Sequence, residues 1–309
     1  MQSCRPVFVI GNPRSGTTLL RLLLHNHRDL VVPPECGFAL WWQGKYGDWS
    51  AGDAGDRSRR EAFLADLFHS RKIETWGLDV NALREAIVQE QPASYPKMVA
   101  LVYAAYAQSI GKRARRWGDK NNFHVRHISR LHRLFPRAQF VHIVRDGRDV
   151  ACSYRAVMSR RSDSDYAPQL PVDIREIAEE WTSNLRHAIE DLSSLPSHQF
   201  DELRYEDLVA NPSASLRDLC GFLGITYDPE MLLFHVRNRL EHQEPPAFLQ
   251  WKANTTREIS SAQVGKFRKL LAPDEIRAFE SIAAPILERY GYTLFRVADP
   301  RSTSRVKEV

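Results

Sequence analysis

Apolar and polar positions along this chain fall into blocks whose period changes in a repeating order. Val7 to Ile10 is a short apolar run ending at Gly11, as expected of a parallel strand buried on both faces. Asn12-Pro13-Arg14-Ser15-Gly16 cannot extend it, because proline withholds an N–H from the ladder and glycine favours a turn. From Thr17 the period is helical, with Leu19, Leu20, Leu22, Leu23 and Leu24 forming a broad apolar face. The same succession returns as a strand over Ala138–Val144, a turn over Arg145–Asp149 and a helix from Val150 to about Met158. Gln199–Arg204 is a third strand candidate, and Arg116–Gly118 ends a fourth. Ile174, Ile177, Trp181, Leu185, Ala188 and Leu192 keep a three-or-four spacing, as do Ile276, Phe279, Ile282, Ile286 and Tyr290. Strands alternating with helices of this length predict an α/β fold: a P-loop-like central parallel sheet flanked by helices.

Residues 37–112 interrupt that alternation as a mostly helical, aromatic-rich insertion after the first βα unit. Residues 159–172 are polar and proline-containing, which predicts a mobile loop, and residues 300–309 read as a frayed tail. The whole length of 309 residues fits one domain carrying this insertion. The net charge of +5 favours anionic partners, but it is spread along the chain and does not suggest nucleic acid. Cys4, Cys36, Cys152 and Cys220 are too scattered for metal-binding pairs or a disulfide framework, so free thiols in a reducing compartment are expected. No signal peptide precedes the first strand, and no apolar run approaches the roughly 20 residues that span a bilayer. The expectation is a cytoplasmic protein without a transmembrane segment.

Gly11-Asn12-Pro13-Arg14-Ser15-Gly16-Thr17-Thr18 has the spacing of a phosphate-binding loop. Its glycines let backbone N–H groups face an anion, and the following helix points its N-terminus at it. That helix end contributes only about 0.3–1 kcal/mol at an exposed site, too little to hold a nucleotide. Arg14 and the hydroxyls of Ser15, Thr17 and Thr18 must supply the rest through charge-assisted bonds worth about 1.5–3 kcal/mol each. A nucleotide triphosphatase would carry Lys where Thr17 stands, and no strand ends in an evident magnesium-binding Asp. In the second unit Arg145 lies at the carboxyl end of a strand and Ser153 two helical turns on, facing the same way. Ligands of doubly wound sheets bind at strand carboxyl ends, so this pair is suited to a second phosphate near the first loop. An ordinary glycine turn and a surface Arg–Asp cluster are the bland alternatives.

Together these segments resemble the sulfotransferase family that uses 3′-phosphoadenosine-5′-phosphosulfate, in the branch with bacterial, tyrosylprotein and heparan-type enzymes. Pro13 to Leu19 is similar to its 5′-phosphosulfate loop, and Val144-Arg145-Asp146 through Ser153 to its 3′-phosphate segment. Arg204-Tyr205-Glu206-Asp207-Leu208 resembles a segment whose tyrosine lies near the adenine. Val264-Gly265-Lys266-Phe267-Arg268-Lys269 resembles one that closes over the cofactor, with Lys266 and Phe267 replacing the usual Arg and Trp. Val32-Pro33-Pro34-Glu35 resembles the stretch that supplies a glutamate base.

The resemblance implies a cofactor site of Arg14, Ser15, Gly16, Thr17, Thr18, Arg145, Ser153, Tyr205, Gly265, Lys266 and Arg268, with no metal. It further implies Glu35 as general base, with Lys120 and Arg14 steadying charge on the leaving group. His124 is the second candidate base; the position used by a histidine in the cytosolic steroid and phenol enzymes is Asn122. Trp41, Trp42, Tyr46, Trp49 and Trp76 either line an acceptor pocket or form a satellite core. Arg155, Arg160 and Arg161 either meet an acidic acceptor or stay solvated. The acceptor is left open among small molecule, carbohydrate and peptide, as is the oligomeric state. A magnesium-dependent nucleotide kinase and a non-catalytic nucleotide-binding scaffold are the rival readings.

Overall fold

The computed structural model describes residues 5–160, 162 and 164–295. Its centre is a five-stranded sheet of β1 (Val7–Ile10), β2 (Leu30–Val31), β3 (Arg116–Lys120), β4 (Gln139–Val144) and β5 (Phe200–Arg204). The strand order is β2-β3-β1-β4-β5, and every neighbouring pair is parallel. The period of two in β1 explains its unbroken apolar run. Val7 and Val9 face the helix Thr17–His25 and the segment 205–223, whereas Phe8 and Ile10 face the insertion.

The insertion is helical as expected, with its longest helices at Arg57–Phe68, Val80–Glu90 and Tyr95–Ser109. Tyr46, Trp49 and Trp76 are buried within it, and Tyr103 stacks on Trp117 of β3 at a centroid distance of 4.1 Å. These aromatics therefore form a core rather than an acceptor pocket. The helices Gly147–Met158, Ile174–Ser193 and Pro273–Arg289 pack a third apolar cluster around Trp181 and Phe279.

Some boundaries differ from the sequence reading for local reasons. The helix after β4 begins at Gly147 rather than Val150, because the Asp146 carboxylate caps it by accepting the Arg148 N–H at 2.9 Å. Strand β3 runs two residues past Gly118, since Asp119 and Lys120 pair with Phe8 and Val9. Strand β2, held by pairing to Arg116 and Trp117, is too short to leave a periodic signal. Cys36, Cys152 and Cys220 are buried free thiols. Cys4, Arg161 and the tail 300–309 lie outside the described residues. No described helix is long and apolar enough to cross a membrane.

Gly147 fixes how closely the third cluster meets β4. A Cβ there would lie 2.5 Å from Phe279 Cζ and 2.7 Å from Trp181 Cδ2, both in rings wedged among neighbours. Gly147→Ala is expected to destabilise the protein by about 1–3 kcal/mol through overpacking. Urea unfolding checks this, and an unchanged midpoint would contradict it.

Candidate active site

Because all five strands run the same way, their carboxyl ends meet one edge of the sheet, and a cavity of about 1020 Å³ opens there. Each strand delivers different chemistry to it. β1 leads into Pro13–Thr18, β2 toward Glu35, β3 ends on Lys120, β4 is followed by Arg145, and β5 by Tyr205. Across the sheet the order is therefore Glu35, Lys120, loop, Arg145, Tyr205.

The loop is shaped to face an anion. Gly16 has φ 97°, and a Cβ there would lie 2.6 Å from the Tyr205 ring; one at Gly11 would lie 2.7 Å from Ile143 O. Arg14 also adopts a left-handed backbone, φ 68°. No side chain caps the helix Thr17–His25, and its first turn carries no acidic residue. Asn12 ties the loop down by accepting from Asn184 at 2.7 Å and donating to Tyr154 OH at 3.1 Å.

The Arg14 and Arg145 segments meet directly. Arg145 Nη1 donates to Arg14 O at 3.1 Å, and Arg14 Nε donates to Ser153 Oγ at 3.2 Å. Arg145 also donates to Gln263 O at 2.7 Å and lies 4.5 Å above the Tyr205 ring centroid. Burial, reinforced by repulsion from Arg145, pushes the Arg14 guanidinium down to about 10. Neither arginine has a carboxylate partner among the described residues, and Arg145 Nε and Ser15 Oγ are buried without a partner. Two converging cations with no carboxylate bonded to either are unfavourable unless an anion joins them.

At the other end every charge is already paired. Lys120 Nζ donates to Glu35 Oε1, and Lys72 Nζ to Glu35 Oε2 at 2.9 Å. Lys252 stands 3.8 Å from Oε1. Burial alone would raise the Glu35 carboxyl, but Lys120, Lys252 and Lys72 reverse this and hold it well below the usual carboxylate range. Burial pulls the Lys120 ammonium down to about 8, with Glu35 opposing. The sequence reading did not single out Lys72 or Lys252. Neither belongs to a recognisable pattern, and both reach Glu35 only through the tertiary fold.

The other predicted residues are distributed unequally. Gly16, Thr17, Thr18, Ser153 and Tyr205 line the cavity, and Thr17 Oγ1 is 3.4 Å from Asn122 Oδ1. Ser15, within the loop, is buried and does not line the cavity. Gly265, Lys266 and Arg268 do not line the cavity wall; that stretch contributes Ala262 and Gln263 instead. His124 is fully buried off the wall, and burial drives its ring down to about 3. Of the aromatics weighed as a pocket, Trp41 alone reaches the wall, nearly parallel to Phe123 at 6.1 Å. Arg155 pairs with Glu275 at 2.7 Å, and Arg160 donates to Gln250 O at 3.1 Å.

Residues 6–229 match the model of the Sulfotransferase family, a span that holds the loop, Glu35, Lys120, Arg145 and Tyr205. This chain belongs to the sulfotransferase family. Protein-tyrosine sulfotransferase A of Caenorhabditis elegans is 24% identical over 304 residues, covering 93% of this chain and 67% of that protein. The nodulation protein NoeE of Sinorhizobium fredii is 25% identical over 298 residues, covering 92% and 65%. Among solved structures, the sulfotransferase domain from the curacin biosynthetic pathway superposes with TM-score 0.62 at 21% identity, covering 94% of this chain and 99% of that one. The corresponding domain of the Synechococcus PCC 7002 olefin synthase gives 0.56 at 24% identity, covering 92% and 97%. The fold of this sulfotransferase is thus the one those domains share.

In this sulfotransferase Asp149 holds the stretch that brings Gln263 to Arg145. Its carboxylate accepts the Gly265 N–H at 2.7 Å and the Phe267 N–H at 2.9 Å. Asp149→Ala removes two charge-assisted bonds, together on the order of 3 kcal/mol. Amide hydrogen exchange at Gly265 and Phe267 is expected to accelerate more than tenfold, and unchanged protection would contradict the tether.

Proposed function

We propose that this sulfotransferase uses 3′-phosphoadenosine-5′-phosphosulfate as donor and sulfonates a hydroxyl acceptor. The observation that carries the reading is the pair Arg14 and Arg145, neither bonded to a carboxylate among the described residues, one in the glycine-bounded loop and one beside Tyr205. A nucleotide phosphorylated at both its 3′ and 5′ positions fits two neighbouring anion sites with an aromatic ring alongside. The buried Arg145 Nε, which has no partner among the described residues, agrees with an anion in contact with that guanidinium.

The donor supplies an activated sulfonate; the rest is the work of this chain. Backbone N–H groups of the loop, Arg14, Thr17 and Thr18 hold the 5′ end, Arg145 and Ser153 the 3′-phosphate, and Tyr205 the adenine. Glu35 takes the acceptor's proton, and Lys120 stabilises the charge that develops on the donor side. Glu35 paired to three lysines is a weak base. As Lys120 turns toward donor charge, its hold on Glu35 Oε1 relaxes and the carboxylate regains basicity. The name of one relative, a protein-tyrosine sulfotransferase, favours a hydroxyl acceptor, while that of another, a nodulation protein, names no acceptor, so the carrier is left open.

Incubation with donor and an acceptor panel, read by mass spectrometry, tests the activity. A gain of one sulfonate that depends on the protein is expected, and no transfer to any acceptor despite tight bisphosphate binding would favour a scaffold. Arg145→Ala is expected to weaken adenosine 3′,5′-bisphosphate about 10- to 150-fold by calorimetry; full affinity would remove Arg145 from the site. Glu35→Gln is expected to bind the bisphosphate normally and lose about 10²–10⁴-fold in turnover, whereas retained turnover would move the base elsewhere.

A further inference from the structure

The three lysines around Glu35 are held in different ways. Lys120 belongs to a buried strand end, and Lys72 sits on the cavity wall with a partly exposed side chain. Lys252, closing the short helix Leu249–Lys252, has a carboxylate partner of its own. Its Nζ donates to Glu244 Oε1 at 2.5 Å while standing 3.8 Å from Glu35 Oε1.

Glu244 is in turn fixed from two sides. Its Oε2 accepts from Arg21 Nη2 at 2.7 Å, and its N–H donates to Asn238 Oδ1 at 2.6 Å. Arg21 lies on the helix that starts at the phosphate loop, and it also donates to Val32 O at 2.9 Å and Gln243 O at 2.8 Å. Arg21 and Glu244 are almost wholly buried. The result is an alternating line of charge, Arg21–Glu244–Lys252–Glu35, running from behind the loop to the cavity wall.

We propose that Lys252, braced by Glu244 and Arg21, is a positioning residue that keeps Glu35 ionised and its Oε1 pinned when Lys120 engages the donor. The proposal rests on the reading of Glu35 as base. Because Lys252 is shared between two carboxylates, it gives Glu35 only part of its charge. That share keeps the carboxylate ionised without abolishing its ability to accept a proton. The other groups facing Glu35 are Lys120 from β3, Lys72, the Arg14 guanidinium, the buried Asp119 carboxyl and the His124 ring, which burial keeps neutral.

The test is a carbon-13 carboxyl titration of Glu35 in the adenosine 3′,5′-bisphosphate complex, assigned with Glu35→Gln, alongside turnover against pH. Lys252→Met removes a cation within 4 Å and is expected to move the Glu35 titration upward by about one unit or more. Glu244→Gln leaves Lys252 wholly to Glu35 and is expected to move the titration downward, and Lys252→Arg to leave it near wild type. The acidic limb of turnover follows each shift. Opposite shifts are a signature that loss of packing would not produce. A Glu35 titration unmoved in both variants, or moved the same way in both, overturns the proposal. Should Lys252→Met fail to fold, Glu244→Gln against Lys252→Arg decides by the same downward shift, whose absence overturns it. Full turnover in Glu35→Gln would instead reject the base reading, and the titrations would still report the electrostatic coupling on their own.

Discussion

The arrangement of this molecule depends on one constraint: five short strands that must all run the same way. Parallel pairing sends every strand's carboxyl end to one edge, where the ladder stops and backbone and charged side chains meet solvent together. The strand order β2-β3-β1-β4-β5 then decides which chemistry neighbours which. The glycine-bounded loop after β1 is central, with Glu35 and Lys120 toward one side and Arg145 and Tyr205 toward the other. A different strand order would separate the groups that this one brings together.

Electrostatics divides the cavity into two regimes. On the Glu35 side each cation lies against a glutamate, so burial there costs less than it would for isolated charges. On the Arg145 side, two guanidinium groups converge, and their direct partners are carbonyl, hydroxyl and aromatic groups rather than carboxylates. In the proposed function the first regime exchanges a proton and the second accepts an anion. A transfer between an anionic donor and a hydroxyl acceptor needs both, side by side.

The sequence made the two strand–turn–helix units visible because each is local. Val7–Ile10 with Gly11 and Gly16, and Phe140–Val144 with Arg145, carry their periodicity and turn residues within about twenty positions. Strand β3 is only partly legible in the sequence because Asp119 and Lys120 are polar yet buried, a combination that pairing with β1 and the neighbouring Glu35 makes tolerable. Lys72, Lys252 and Glu244 carried no signal, since a lone lysine or glutamate in a polar stretch looks solvated until the chain folds back on it. The aromatics of the insertion were ambiguous for a similar reason. Periodicity says that Trp49 and Trp76 must be buried somewhere, but not that their partners are Phe63 and Tyr103 rather than a ligand.

The central claim is that two anion sites, side by side at the sheet's edge, grip the two ends of one bisphosphorylated adenosine. A crystal structure grown with adenosine 3′,5′-bisphosphate tests it most directly. The account predicts the 5′-phosphate within the Arg14–Thr18 loop and the 3′-phosphate between Arg145 and Ser153. A nucleotide bound in the reverse sense, or away from this edge of the sheet, would contradict it.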